Sequence, residues 1–520
     1  MLKGVLTVGG WTMASRIAGF LRDILIAAFA GAGPVADAFF VANRLPNLFR
    51  RLFGEGAFNA AFVPEFAGIL ATDGPAPAQL FAEQALAVLA TWLIALTILG
   101  EIFMPQLMLV MAPGFTRDPA KFALAVTLSR ITFPYLLLIC LTALLSGVLN
   151  GLDRFVAAAA APLLYNLFAI AGLLALRPFL PTVGHALAIG IAFSGIAQLA
   201  LLWWAVRRAG MRLVLPRPRL TPQVRGLMRR MAPGLVGAGV VQLNLAMDTI
   251  IGSLLPTGSV SLLYYADRVN QLPLGVIGTA IGTALLPLLS RQARSGAEED
   301  SRITLNRALE YGLFLTIPAA AGLMVLAVPI MTVLFQRGAF DLAQAAGSAH
   351  ALQAYAFGLP WFVLAKVLVP GFFARGDMTT PVRFAMMSLA LNLAFNLTLI
   401  WPLGYVGLAL SSSFAAIANC AALGWVLHRR RHFVADARLR RRVPRMAVAA
   451  AAMMLACWAA GALLAPLLAP PGGGRWLALL LLIIVGGGTY LGTAEALGAI
   501  GLREMAATLR RRRVTRRAGG

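Results

Sequence analysis

Fourteen stretches of this sequence stay apolar for about twenty residues or more, the length a helix needs to cross a hydrocarbon layer roughly 30 Å thick. They run at about 5–30, 35–66, 84–111, 122–149, 156–176, 184–206, 229–255, 262–290, 303–335, 345–374, 380–401, 404–427, 446–469 and 476–497. With 60% hydrophobic and only 12% charged residues over 520 positions, and a mean hydropathy of +0.81, the chain is not a soluble enzyme. The expected fold is an all-α polytopic membrane protein of about fourteen transmembrane helices. A net charge of +24 would suit nucleic acid, but the basic residues come as short clusters between apolar spans, with no soluble basic domain to hold a duplex.

Charge placement sets the expected orientation. With the N-terminus in the cytoplasm, the outer loops carry only Arg117, Lys121, Arg177, Arg337 and Arg475. The clusters from Arg207 to Arg230, Arg429 to Arg445 and Arg503 to Arg517 then all fall inside, where they also meet anionic lipid headgroups. This predicts a multi-pass protein of a bacterial inner membrane with both termini cytoplasmic. The first apolar run superficially resembles a signal peptide, but Arg16, Arg22 and Asp23 interrupt it, so a retained first helix is expected. Cys140, Cys420 and Cys457 lie far apart and show no ligand spacing with the four histidines, so neither a disulfide nor a structural metal is expected.

The chain also repeats itself. Ala42 and Arg44 recur as Ala266 and Arg268, Gly147 as Gly371 and Asp153 as Asp377, every pair 224 positions apart. A repeat enclosing six spans keeps both copies in the same orientation, which relates them by an axis along the membrane normal. The organisation expected is a six-helix lobe at 1–207, a basic linker at 208–221, a second six-helix lobe at 222–428, a basic loop at 429–445, two extra helices at 446–497 and a basic tail at 498–520.

Against this apolar background the polar residues of the first two spans stand out. At ~100° per residue, Thr12, Ser15, Arg16, Gly19, Arg22 and Asp23 fall within about 120° of one helix face. In the second span Asp37, Arg44, Arg51 and Glu55 form a stripe with Arg50 beside it, bent near Pro46. An arginine at mid-membrane costs roughly 2.5–3.5 kcal/mol, and Asp23 and Asp37 cannot neutralise so many, so a wet cavity with an anionic ligand is expected. Several guanidinium groups suit a ligand with many oxygens, such as a pyrophosphate.

The segments SRIAGFLRD, DAFFVANRLPNLFRRLFGEGAFNAAFVPEF and YYADRVNQLPLGVIGTAIGTALLPLLSR resemble the signature segments of the MurJ (MviN) lipid II flippases, within the multidrug/oligosaccharidyl-lipid/polysaccharide exporter superfamily. The resemblance covers almost the whole chain. It implies transport of lipid II, undecaprenyl-pyrophosphoryl-MurNAc-pentapeptide-GlcNAc, from the cytoplasmic to the periplasmic leaflet by alternating access, without enzymatic chemistry. It also implies that Arg16, Arg22, Arg50 and Arg268 are cavity arginines, that Asp37 and Glu55 are the matching acids, and that the last two helices border a groove for the lipid tail. Cell-wall synthesis proteins are further possible partners. The rival readings are a flippase or exporter for another polyprenyl-pyrophosphate sugar, and a membrane enzyme acting on lipid-linked glycan; short outer loops and the lack of an acidic cluster disfavour the enzyme.

A monovalent cation site is a separate expectation. Asp248 is the one acid of its span, and Asn392 and Asn396 share a helix face at i, i+4, with Ser412 in the following span. Coupling to Na⁺ or H⁺ would act there. The resemblance implies sodium at the matching positions in some members of the family, with a second acid where this chain has Asn396; that departure lowers the negative charge of the site here.

Overall fold

The computed structural model describes residues 2–51, 57–468 and 474–499. They form helices α1 (Leu2–Ala30), α2 (Pro34–Phe49), α3 (Ala57–Thr72), α4 (Pro75–Ile102), α5 (Met104–Met111), α6 (Pro119–Thr132), α7 (Tyr135–Gly151), α8 (Val156–Leu176), α9 (Val183–Arg208) and α10 (Pro222–Ser253). There follow α11 (Ser259–Pro273), α12 (Thr279–Arg294), α13 (Glu298–Val325), α14 (Ala327–Phe335), α15 (Leu342–Phe373), α16 (Thr379–Arg429), α17 (Ala437–Leu463), α18 (Ala465–Leu468) and α19 (Gly474–Ala496). No β-strand occurs among the described residues.

Proline and capping side chains set many of these boundaries. Pro34, Pro75, Pro119 and Pro222 occupy first helical positions, where the missing N–H costs nothing. Asp118 accepts from the backbone N–H groups of Ala120 and Lys121, Thr221 from Val224 and Asp436 from Leu439. Interior prolines divide spans: α6 passes into α7 at Pro134, and α11 ends at Pro273 in a single π-helical turn, Leu274–Gly278, before α12. The 51-residue α16 is two helices joined across a kink at Gly404, whose φ of 55° and ψ of −133° lie outside the helical region, just after Pro402.

Among the described residues nine helical segments are long and apolar enough to cross a membrane, counting the whole of α16 as one. The chain is a multi-pass membrane protein. Helices α1 and α10 carry charges, and α2/α3 and α11/α12 are broken, so the expected total of fourteen rests on the sequence pattern.

Two compact units emerge, Met1–Leu262 with Arg337–Gln344, and Leu263–Gln336 with Ala345–Gly520. In the first, Phe58, Phe62, Phe66 and Phe81 form a stacked aromatic core with ring separations of 5.1 to 5.6 Å. Met211 and Leu213 of the basic linker and Val224, Leu227 and Met231 of α10 bury into the same core. Buried Glu83 accepts from Val214 N at 3.2 Å and Gln84 from Arg219 N at 3.1 Å, so the linker is a strap laid along α4. In the second unit, α17 packs on α19 and α13, and the Tyr490 hydroxyl donates to the Phe314 carbonyl at 3.0 Å. Buried Glu310 accepts there from Arg307, Arg438 and Arg442, fixing part of the basic loop to α13.

The turns that end α7 and α15 have the same form, at a spacing of 223 residues, one less than the sequence offset of 224. Asp153 closes α7 in a left-handed conformation (φ 57°), with Arg154 N bonded to Leu149 O. Gly376 does the same after α15 (φ 77°), with Asp377 N bonded to Phe372 O.

Candidate functional site

The polar face of α1 meets α8 within the first unit. Small residues bring α8 in turn against α9: a Cβ added at Gly190 would lie 2.6 Å from the Phe168 carbonyl oxygen. On the opposite side α8 presents Tyr165 and Asn166 to α1. Arg22, 8% exposed, donates through Nε and Nη2 to Asp23 Oδ1 at 3.0 and 2.6 Å, and through Nη1 to Asn166 Oδ1 at 3.0 Å. Its Cζ stands 5.2 Å from the centre of the Tyr165 ring. Asp23 is wholly buried, so this is an internal ion pair with an added amide and aromatic support.

From Tyr165 the network crosses to α2. The Tyr165 hydroxyl lies 3.1 Å from Asn43 Nδ2, Asn47 Nδ2 donates to Asn43 O at 2.7 Å, and Arg50 Nε donates to Asn47 Oδ1 at 3.3 Å. Arg22 and Arg50 therefore sit at the two ends of one Tyr/Asn chain. Arg16 differs from both: it is exposed on α1 and has no hydrogen-bond or ion-pair partner among the described residues. Arg51 is exposed, Arg268 is half-buried on α11 in the second unit, and Glu55 lies outside the described residues.

Asp37 has a different environment from the one its stripe suggested. Its Oδ2 accepts from Lys121 Nζ at 2.8 Å and Gly258 N at 2.7 Å, and its Oδ1 from Ser261 N at 2.9 Å and Ser261 Oγ at 2.6 Å. The two ionic side chains are 1% and 4% exposed, and the ammonium lies 4.1 Å from the Phe115 ring centre. With four protein donors on its buried carboxylate, Asp37 caps the start of α11. Nearby, Ala339 N donates to Ala28 O at 2.8 Å, so residues 337–344 are tied to the end of α1. Arg44 is likewise structural, donating through Nε to Thr249 of α10 at 2.9 Å.

Of the expected cation ligands, Asn392 and Asn396 are buried in α16, 2% and 0% exposed, and Ser412 is half-buried. Asp248 is half-buried on α10, in the first unit.

Comparison with known proteins matches residues 26–468 to the family model described as lipid II flippase MurJ. The chain belongs to the MurJ family. A relative from Rhizobium meliloti (strain 1021), named probable lipid II flippase MurJ, is 45% identical over 86% of this chain and 84% of its own. One from Burkholderia cenocepacia, named lipid II flippase MurJ, is 35% identical over 83% of this chain and 84% of its own. A solved MurJ structure described as inward closed shares the fold with a TM-score of 0.79 over 94% of this chain and 98% of that one, at 24% identity. An inward-facing MATE transporter aligns with a TM-score of 0.64 over 82% of this chain and 98% of its own, at 13% identity, again a likeness of fold.

Sequence reasoning missed Asn43, Asn47, Tyr165, Asn166 and Lys121 as members of these polar networks. Asn43 and Asn47 carried a usable signal, since they are i, i+4 on the helix of the arginine stripe. Tyr165 and Asn166 did too, as a lone polar pair in an alanine-rich span. Lys121 read only as an outer-loop charge.

Proposed function

We propose that the protein moves lipid II from the cytoplasmic to the periplasmic leaflet of the bacterial inner membrane by alternating access. Its pyrophosphate is bound by Arg16, Arg22 and Arg50, with Arg268 contributed by the second repeat. The observation that carries this reading is Arg16, an exposed guanidinium on the 29-residue α1, which the sequence pattern makes a span, with no protein acid among the described residues to balance it. At roughly 2.5–3.5 kcal/mol per mid-membrane arginine, such a residue calls for water and an anion. Planar guanidinium groups grip phosphate oxygens in pairs and stay charged where water is scarce. Family membership gives the substrate class, and the basic clusters support cytoplasmic termini.

In this scheme the Asp37–Lys121 pair holds one end of the first unit closed and must release for the substrate to leave on that side. Entry of Na⁺ or H⁺ at Asp248, Asn392, Asn396 and Ser412 resets the cycle, favoured by an inward-negative membrane potential. The test is flipping in proteoliposomes, with labelled lipid II compared with other polyprenyl-pyrophosphate sugars, for the wild type and Arg16→Ala. Rapid movement of lipid II by the wild type and its loss in Arg16→Ala at equal abundance are expected. Equal rates for both proteins would remove the arginine site, and preference for another sugar would reassign the substrate.

A further inference from the structure

Asn166 makes two kinds of contact with one side chain. Its Oδ1 accepts from Arg22 Nη1 at 3.0 Å, while its Nδ2 donates to Ser15 O at 3.0 Å, Ser15 Oγ at 3.3 Å and Pro162 O at 3.3 Å. The reverse amide orientation would aim N–H groups at a guanidinium and an oxygen at two carbonyls, so chemistry fixes which end faces Arg22. The same amide thus holds the guanidinium of Arg22 and the backbone of the residue before Arg16.

We propose that Asn166 and Tyr165 are positioning residues that set the pose in which Arg22 and the adjoining turn of α1 meet a pyrophosphate. This rests on the reading of the arginines as pyrophosphate ligands. Asn166 supplies direction and Tyr165 supplies a surface: the ring faces the guanidinium, stands 5.6 Å from the Tyr135 ring, and is anchored at its hydroxyl by Asn43. Neutrality at position 166 matters as much as geometry. Asp23 already matches the charge of Arg22, and a second carboxylate would leave the group net negative and repel a polyanion. A neutral oxygen orients the guanidinium without adding to the cancellation.

The experiment measures initial flipping rate against the mole fraction of lipid II in proteoliposomes, which separates half-saturation from maximal rate. Asn166→Ala is expected to raise the half-saturating mole fraction about tenfold, in line with loss of a hydrogen bond to a charged group. Asn166→Asp is expected to raise it further, and the double variant Asp23→Asn with Asn166→Asp, which restores the charge count, to recover part of the loss. A role in packing alone would lower folded protein or maximal rate at unchanged half-saturation, and would do so equally in the double variant; that result overturns the proposal. Should Asn166→Ala fail to accumulate, Tyr165→Leu, which leaves the amide in place, is read the same way. Arg22→Ala separates the two levels. If it too leaves half-saturation unchanged, the arginine reading itself fails; if it raises half-saturation while Asn166→Ala and Asn166→Asp do not, only the positioning role is lost.

Discussion

Replacing Asp37 with asparagine keeps its shape and removes its charge, which isolates the ion pair with Lys121. Both side chains are almost fully buried, and the ammonium has one carboxylate within 2.8 Å, a threonine hydroxyl at 3.3 Å and an aromatic face. Without the carboxylate an uncompensated charge remains in a buried site, which costs about 3–5 kcal/mol. The asparagine amide nitrogen must also face donors, because both carboxylate oxygens accept two hydrogen bonds each. Asp37→Asn is therefore expected to lower the melting temperature in detergent and to expose cysteines placed at 256 and 257 to a water-soluble thiol reagent. Lys121→Met should cost less, since Gly258 and Ser261 still donate to the carboxylate. Combining Asp37→Asn with Lys121→Met should cost less than the two single losses added together. Strict additivity, or unchanged melting and labelling in Asp37→Asn, would refute the argument that this pair closes the end of the unit.

Arg16→Lys keeps the charge but replaces a two-pronged donor with a point charge, so partial flipping between wild type and Arg16→Ala is expected in proteoliposomes. Asp248→Asn should abolish the dependence of flipping on imposed Na⁺ or H⁺ gradients; unchanged ion dependence would remove the cation site. Asp377 lies in the turn between α15 and α16. Burial works against its charge, but bonds from Thr380, Arg430 and Thr379 hold its carboxyl well below the usual carboxylate range. A depressed value stabilises above the unfolded pKa of about 3.9 and is lost as pH falls through the folded value, so Asp377→Asn should cost stability at neutral pH and progressively less in strong acid. Melting curves of both proteins across pH check this.

The one-sided polarity of α1 was legible because helix geometry projects Ser15, Arg16, Arg22 and Asp23 onto one face whatever surrounds them. What the face meets was not legible, since Asn166 is 144 positions from Arg22 and only folding joins them. Asp37 shows the limit most clearly. Its spacing with Arg44 and Arg51 marks a polar stripe, and a stripe does not say whether a given member faces a ligand or the protein. Lys121, Gly258 and Ser261 answer that, at separations of 84, 221 and 224 residues.

The repeat and the packing divide the chain at different places, and physics gives the reason. The sequence offset of 224 residues puts the expected junction in the linker at 208–221. Compactness is decided by which apolar surfaces meet, and Met211, Leu213, Val224, Leu227 and Met231 all bury against the aromatic core of the first unit. Glu83 and Gln84 hold the intervening backbone, so the strap has little freedom to act as a tether. Arg44 to Thr249 and Asp37 to Ser261 extend the same attachment along α10 and into α11. Helix α10, which follows the linker, thus belongs to the first unit, whose main segment ends at Leu262. A basic, proline-bearing linker reads in sequence as a connection between lobes because its charges imply solvent. Its alternate residues Met211 and Leu213 carried the contrary signal, a period of two that lays one side of an extended strap into a core.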